Sequence, residues 1–272
     1  MTWNSWLQKA SKTISKQEAI LILIKTCSLG VDPSWFTIHG DEEIPKEYKK
    51  YLRLLDKKTK LRHSGTPLAY ILQEKYFYGR PFYVGRGKSV LIPRPETENI
   101  IDIIKKIRPK TVLDIGTGSG CIAITIKLEM PNTKVYACDI SRKALKIAEK
   151  NAKKLNAKID IFRSNLLSNI KFTPDTIVAN LPYVDKNWNW VDQKALSHEP
   201  SIALYAKNHG LSLIFKLIKQ SSSYKIENLI LEADPSQHSQ IIEFANKNNY
   251  KLKDNQGFIL NFTYLDRRPK SH

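Results

Sequence analysis

The sequence predicts an α/β protein in which a mainly parallel, Rossmann-like sheet is covered by helices on both faces and preceded by a small helical bundle. Three observations lead there. From Thr111 onward, short apolar runs alternate with stretches of helical periodicity, as strands joined by crossover helices do. The first of those runs closes on a glycine turn, Gly116-Thr117-Gly118-Ser119-Gly120. Residues 1–74 lack the alternation and set their apolar side chains at helical spacing instead.

In the N-terminal stretch, Trp3, Trp6 and Leu7, then Ala19, Ile20, Leu23 and Ile24, then Tyr48, Tyr51, Leu52 and Leu55 fall on one helical face each, the core positions of a bundle. Residues 75–92 form a linker, in which Tyr76 to Val84 reads as an aromatic hairpin turning near Gly79. Residues 93–272 form the large domain. There the two prolines of Pro93-Arg94-Pro95 stiffen the start of a helix running to Lys106, and Glu96 and Glu98 complement its positive end. Strands are expected at Thr111–Ile115, Lys134–Cys138, Lys158–Arg163, Thr176–Ala179, Leu229–Glu232 and Phe258–Leu265, with later helices near Leu211–Lys219 and Ser236–Asn248. Ligands of such sheets gather at the carboxyl ends of the strands, so Gly116, Asp139, Leu166 and Asn180 should share one crevice.

The chemistry follows from what stands at those ends. The spacing G-x-G-x-G differs from the dinucleotide pattern, and Asp114 precedes the first glycine by two residues. A carboxylate suits a cationic ligand better than a pyrophosphate, which points to S-adenosylmethionine, a nucleoside with a sulfonium and no phosphate. Gly116, Gly118 and Gly120 let backbone approach the ligand, with Thr117 and Ser119 between them. Asp139, at the end of the second strand, is placed to accept both hydroxyls of a ribose. Asn165 and Leu166, after the third, should reach an adenine, one through a hydrogen bond and the other by packing.

Asn180-Leu181-Pro182-Tyr183 follows the buried run Thr176–Ala179. A planar NH2 group conjugated to a carbonyl or a ring is a weak nucleophile until acceptors hold its N–H bonds. Asn180 offers a side-chain oxygen, and Leu181 a backbone carbonyl whose geometry Pro182 restricts. Tyr183 is expected to lie against the flat face of the substrate.

Composition narrows the remaining possibilities. No apolar stretch approaches the roughly 20 residues that cross a bilayer, and no cleavable signal pattern precedes the short run Ala19–Ile24, so a cytoplasmic protein is expected. Cys27, Cys121 and Cys138 have no metal-ligand spacing and read as reduced, buried thiols; no metal is expected. The formal net charge of +18 comes mostly from dispersed lysines. A basic surface raises encounter with RNA and with acidic proteins alike, so nucleic acid is neither required nor excluded.

Taken together, these residues resemble the protein-(glutamine-N5) methyltransferases of the HemK-like family, which modify peptide chain release factors. The resemblance extends from Gly65-Thr66-Pro67-Leu68-Ala69-Tyr70-Ile71 through the hairpin, the glycine loop and Asp139 to His198-Glu199-Pro200, and is most specific at Ile92 to Glu98. It implies a class I S-adenosylmethionine-dependent methyltransferase fold with a mostly parallel seven-stranded sheet; a monomer is expected. It also implies a cofactor site at Gly116 to Gly120, Asp139 and Leu166, a glutamine held by Asn180 to Tyr183, and release-factor docking by the bundle. The glutamine would be that of a Gly-Gly-Gln motif. Two positions depart from the family pattern: Leu181 stands where a first proline is usual, and Asn165-Leu166 where an acid and an aromatic residue are. Ribosomal RNA adenine dimethyltransferases also carry Asn-Leu-Pro-Tyr, and an adenine amine stacked on Tyr183 is the alternative substrate. That family leaves the bundle, the hairpin and the Pro-Arg-Pro-Glu segment unexplained. A third reading, a catalytically silent binder of release factors or ribosomes, is disfavoured because every motif position needed for transfer is filled.

Overall fold

The computed structural model describes residues 1–266, which form two compact units: residues 1–74 with 193–198, and residues 75–192 with the chain from 199 onward.

The first unit is helical. It comprises α1 (Trp3–Ala10), α2 (Lys16–Cys27), α3 (Trp35–His39), α4 (Lys46–Lys49), α5 (Leu52–His63) and α6 (Leu68–Leu72), joined later in the chain by α10 (Gln193–Leu196). A capping box between Ser15 and Glu18 starts α2 by satisfying backbone N–H groups that a helix end leaves open. Trp3, Trp6, Leu7, Ala19, Ile20, Leu23, Ile24 and Leu55 are buried in one apolar cluster, while Tyr48, Tyr51 and Leu52 are half-buried at its margin. Trp6 keeps its indole N–H satisfied by donating to Asp56 at 3.1 Å.

The second unit opens with a hairpin of β1 (Glu74–Phe77) and β2 (Arg80–Tyr83). It then builds a seven-stranded sheet from β3 (Thr111–Ile115), β4 (Lys134–Asp139), β5 (Asp160–Arg163), β6 (Thr176–Ala179), β7 (Asn228–Glu232), β8 (Tyr250–Gln256) and β9 (Ile259–Tyr264). Its helices are α7 (Asn99–Ile107), α8 (Cys121–Glu129), α9 (Arg142–Lys154), α11 (Ser212–Ser223) and α12 (His238–Lys247). The strand order is β5-β4-β3-β6-β7-β9-β8. Pairing is parallel from β5 to β7, and β9 runs antiparallel to both of its neighbours. Every residue of β6 and β7 is buried, as expected of central strands covered on both faces. Two apolar clusters form the core, one including Leu113, Ile177 and Leu217 and the other Val112, Val178 and Ile104.

The chain leaves β3 toward β4 and β5 on one side and returns through β6 on the other, so β3 and β6 flank the point where the strand order reverses. Ile115 pairs with Ala179 at their ends. The glycine turn and Asn180 therefore emerge side by side, where open α/β sheets bind ligands.

One strand was not expected from the sequence. Tyr250-Lys251-Leu252-Lys253-Asp254-Asn255-Gln256 makes the edge strand β8, largely exposed and interrupted by a register shift between Leu252 and Asp254. Lysines and a bulge are devices that protect a sheet edge, and they erase the apolar alternation by which a strand is recognised. Among the described residues, no helix is long and apolar enough to cross a membrane. Nor does any group of three His, Cys, Asp or Glu residues fit a metal ion. All three cysteines are free and buried.

Candidate active site

The glycine turn is held from below and from both sides. Gly116 and Thr117 donate their backbone N–H groups to the Cys138 carbonyl at 2.9 and 3.0 Å, and Gly118 donates to Asp139 Oδ2 at 3.0 Å. Asn151 of α9, fully buried, donates to the Ser119 carbonyl at 2.9 Å and exchanges two hydrogen bonds of 2.8 Å with the backbone of Tyr83 in β2. One carboxamide thus ties together the hairpin, α9 and the turn. At Gly116, with φ +75, a Cβ would lie 3.1 Å from the Leu181 side chain. Gly120 brings the start of α8 so close to α9 that a Cβ would stand 2.8 Å from Ile124 and 3.1 Å from Ala148.

Asp114 differs from its expected role. It is wholly buried and does not line the cavity; Oδ2 accepts from the Thr117 hydroxyl at 2.6 Å and from the Ala123 N–H at 3.2 Å. Its Oδ1 has no hydrogen-bonding partner among the described residues. Burial pushes its carboxyl up to about 7, against the pull of those two hydrogen bonds. The carboxylate braces the turn rather than meeting a ligand directly. Thr117 and Ser119, although buried, do line the cavity; Gly120 does not.

The cavity, about 350 Å³, opens over the ends of β3, β4 and β6. Gly116, Gly118 and Asp139 form one wall. Burial raises the Asp139 carboxyl, while N–H donors from Ser141 and Gly118 draw it back. Each oxygen accepts one backbone hydrogen bond, Oδ1 from Ser141 at 2.8 Å and Oδ2 from Gly118, so each retains a lone pair for a further donor. Asn165 and Leu166 lie farther along, with the Leu166 carbonyl accepting from the Ser164 hydroxyl at 2.6 Å. Val90 to Arg94 line another part. This segment is fixed by Glu199, a buried residue that accepts from the Ile92 N–H at 3.0 Å and pairs with Arg94. Arg94 is the one cationic residue among the lining side chains described.

Asn180, Leu181 and Pro182 also line the cavity. Leu181 is buried in the sheet core beside Gly116, so packing fixes the position where a proline is more usual. Tyr183 is turned away. Its hydroxyl donates to Glu232 Oε1 at 3.3 Å, its carbonyl accepts from Gln237 Nε2 at 2.8 Å, and it does not line the cavity. The expectation that its ring faces a substrate gives way to an anchoring role.

Behind Asn180 lies a chain of hydrogen bonds that the sequence did not disclose. Asn180 Nδ2 donates to Thr97 Oγ1 at 3.2 Å, and that hydroxyl donates to Glu232 Oε2 at 2.6 Å. Glu232 is 1% exposed; burial pushes it up to about 7, opposed by donors that include Thr97 and Tyr183. The signal was present but unread: an acid ends the otherwise apolar strand Leu229-Ile230-Leu231-Glu232, level with the crevice.

Strand order, glycine turn and an Asn-x-Pro-Tyr motif at the end of the fourth parallel-sheet strand define a class I methyltransferase. Residues 95–197 match the methyltransferase small domain family. The crystal structure of a methyltransferase from Pyrococcus furiosus superposes with a TM-score of 0.51, covering 79% of this chain and 96% of that one at 17% identity. The release factor glutamine methyltransferase of Enterococcus faecalis is 37% identical over 201 residues, 71% of this chain and 70% of its own. That of Koribacter versatilis is 37% identical over 222 residues, 79% of this chain and 76% of its own. The chain belongs to the release factor glutamine methyltransferase family.

Proposed function

We propose that this protein transfers a methyl group from S-adenosylmethionine to the side-chain amide nitrogen of a glutamine in peptide chain release factors, the glutamine of their Gly-Gly-Gln motif. The observation that carries the reading is Asn180. Its amide nitrogen is tied back to Thr97, which leaves the side-chain oxygen as the group it can offer to a substrate N–H in the cavity.

The residues present fit the cofactor. A cation without phosphates needs close backbone, an acceptor for its ribose and little competing positive charge; Gly116 and Gly118, Asp139, and a lining whose one arginine is already paired supply these. Asp139 would accept the ribose hydroxyls, Leu166 would pack on the adenine, and Asn165 would hydrogen-bond its edge. When bound, S-adenosylmethionine supplies an electrophilic methyl group. Asn180 Oδ1 and the Leu181 carbonyl would accept the two N–H bonds of the glutamine amide and orient its nitrogen. Both acceptors also stabilise the positive charge that grows on that nitrogen, which then releases a proton to solvent. Alignment of this kind can lower a barrier by up to roughly 7–11 kcal/mol, and acceptors aimed at developing charge contribute further.

The adenine alternative relied on Tyr183 as a stacking surface, and the orientation of that ring toward Glu232 weakens it. Incubation with labelled S-adenosylmethionine, a release factor and ribosomal RNA together tests the choice: label should enter the release factor, and label in the RNA alone would refute the reading.

A further inference from the structure

Asn180 has two ends, an oxygen and an NH2, and only the oxygen serves an N–H donor on the substrate. What selects it lies outside the Asn-Leu-Pro-Tyr motif. Glu232 as a carboxylate has no proton to donate. The Thr97 hydroxyl, 2.6 Å from Oε2, must therefore spend its single proton on Glu232. Its oxygen is then left as an acceptor toward Asn180, and the end of the carboxamide that can satisfy it is the NH2, 3.2 Å away. The same NH2 also favours the ionised form of Glu232. A reversed carboxamide would set its oxygen against the carboxylate and turn two N–H donors toward the substrate's own N–H bonds.

We propose that Glu232 is a positioning residue which, through the Thr97 hydroxyl, fixes the polarity of the Asn180 carboxamide so that its oxygen faces the acceptor glutamine. The inference deepens the function proposed above and rests on it. Thr97 and Glu232 are 135 positions apart in sequence and meet in the buried interior. Thr97 comes from the short 3-10 helix after Arg94, and Glu232 from the end of β7. Their partners close the arrangement: the Tyr183 hydroxyl holds the second carboxylate oxygen. The charged and titratable groups around it are Glu96 on the Thr97 helix, Cys121 on α8, and Arg94 and Asp234, which act on Tyr183. None of the hydrogen bonds recorded to Glu232 comes from a cation, so its acceptor character depends on its own ionisation.

The test uses the full-length protein with a release factor, and adds a reading that needs no substrate. Thr97→Val and Glu232→Gln should each lower kcat about tenfold or more at pH 8, while the dissociation constant for S-adenosylmethionine stays within twofold. Thr97→Ser should recover most of what Thr97→Val loses, because it restores the hydroxyl. The kcat of the wild type should rise with pH through about 7, and this limb should be missing in Glu232→Gln. In the resting protein labelled with 15N-asparagine, the Asn180 side-chain NH2 signals should shift in both variants. Full kcat in Glu232→Gln at pH 8, or NH2 signals unmoved by either substitution, would overturn the inference. Should the wild type label RNA instead of the release factor, the glutamine reading falls while the NH2 signals still decide whether the relay exists.

Discussion

Asn180 and Asp139 occupy neighbouring strand ends, yet the chemistry divides them cleanly. Asn180 is anchored through its nitrogen and contributes an oxygen, so Asn180→Ala should leave cofactor binding within about twofold and lower kcat by about 10²–10³, the scale of losing one preorganised polar contact at a reacting centre. Equilibrium binding and single-turnover methylation, measured side by side, separate the two effects; unchanged turnover would remove Asn180 from the chemistry. Asp139 accepts from Gly118 and Ser141 and keeps lone pairs toward the cavity. Hydrogen bonds to charged groups contribute about 1.5–3 kcal/mol each, so losing two in Asp139→Ala should weaken S-adenosylmethionine binding by about a hundredfold or more, seen by calorimetry. An equal dissociation constant would mean that the ribose is held elsewhere.

At the scale of elements, the site depends on a buried carboxamide on α9. Asn151 satisfies the Tyr83 N–H and carbonyl and the Ser119 carbonyl at once. Asn151→Ala leaves those groups unpaired in the interior and should destabilise the second unit by about 3 kcal/mol, read as a lower urea midpoint in a chain that still folds. The site itself should loosen before it unfolds, with cofactor affinity falling more than global stability requires. The same element level explains what the sequence disclosed. Thr111–Ile115 and Thr176–Ala179 were legible because central strands are mostly apolar and buried, and from their ends the positions of Gly116 and Asn180 followed. The edge strand β8 was not legible, because lysines and a register shift replace its alternation. Thr97 with Glu232, and Asn151 with Tyr83, stayed hidden for another reason: each pair is made by the fold across long sequence separations, and neither partner announces the other. Asp114 and Tyr183 were found at the right places but given the wrong neighbours, since a strand's period tells which residues are interior without telling which of them reach a cavity.

For the whole molecule, two buried carboxyls on central strands make stability and function pull in opposite directions. Asp114 and Glu232 are both pushed up to about 7 by burial, so between the ordinary carboxylate range and pH 7 the folded protein holds protons that the unfolded chain has released. Stability must then fall as pH rises through that window, since it falls wherever the unfolded state binds fewer protons. Glu18 beside Arg62 and Glu129 beside Arg80 act in the reverse direction: each is held below its usual range, and the stability it contributes is lost only on stronger acidification. The protein should therefore be most stable near the ordinary carboxylate range, at about pH 4–5, and weaker at pH 8. Glu232→Gln removes one of the two buried charges without changing volume. At pH 8 it should raise the unfolding free energy, by at most on the order of 3 kcal/mol, and at pH 5, where wild-type Glu232 is already protonated, it should change little. Thermal and urea unfolding at the two pH values measure this directly. A variant no more stable than the wild type at pH 8 would mean that Glu232 ionises in the fold without penalty. A variant more stable but slower would show that the carboxylate is retained at the crevice for the orientation it imposes on Asn180, against its own effect on folding.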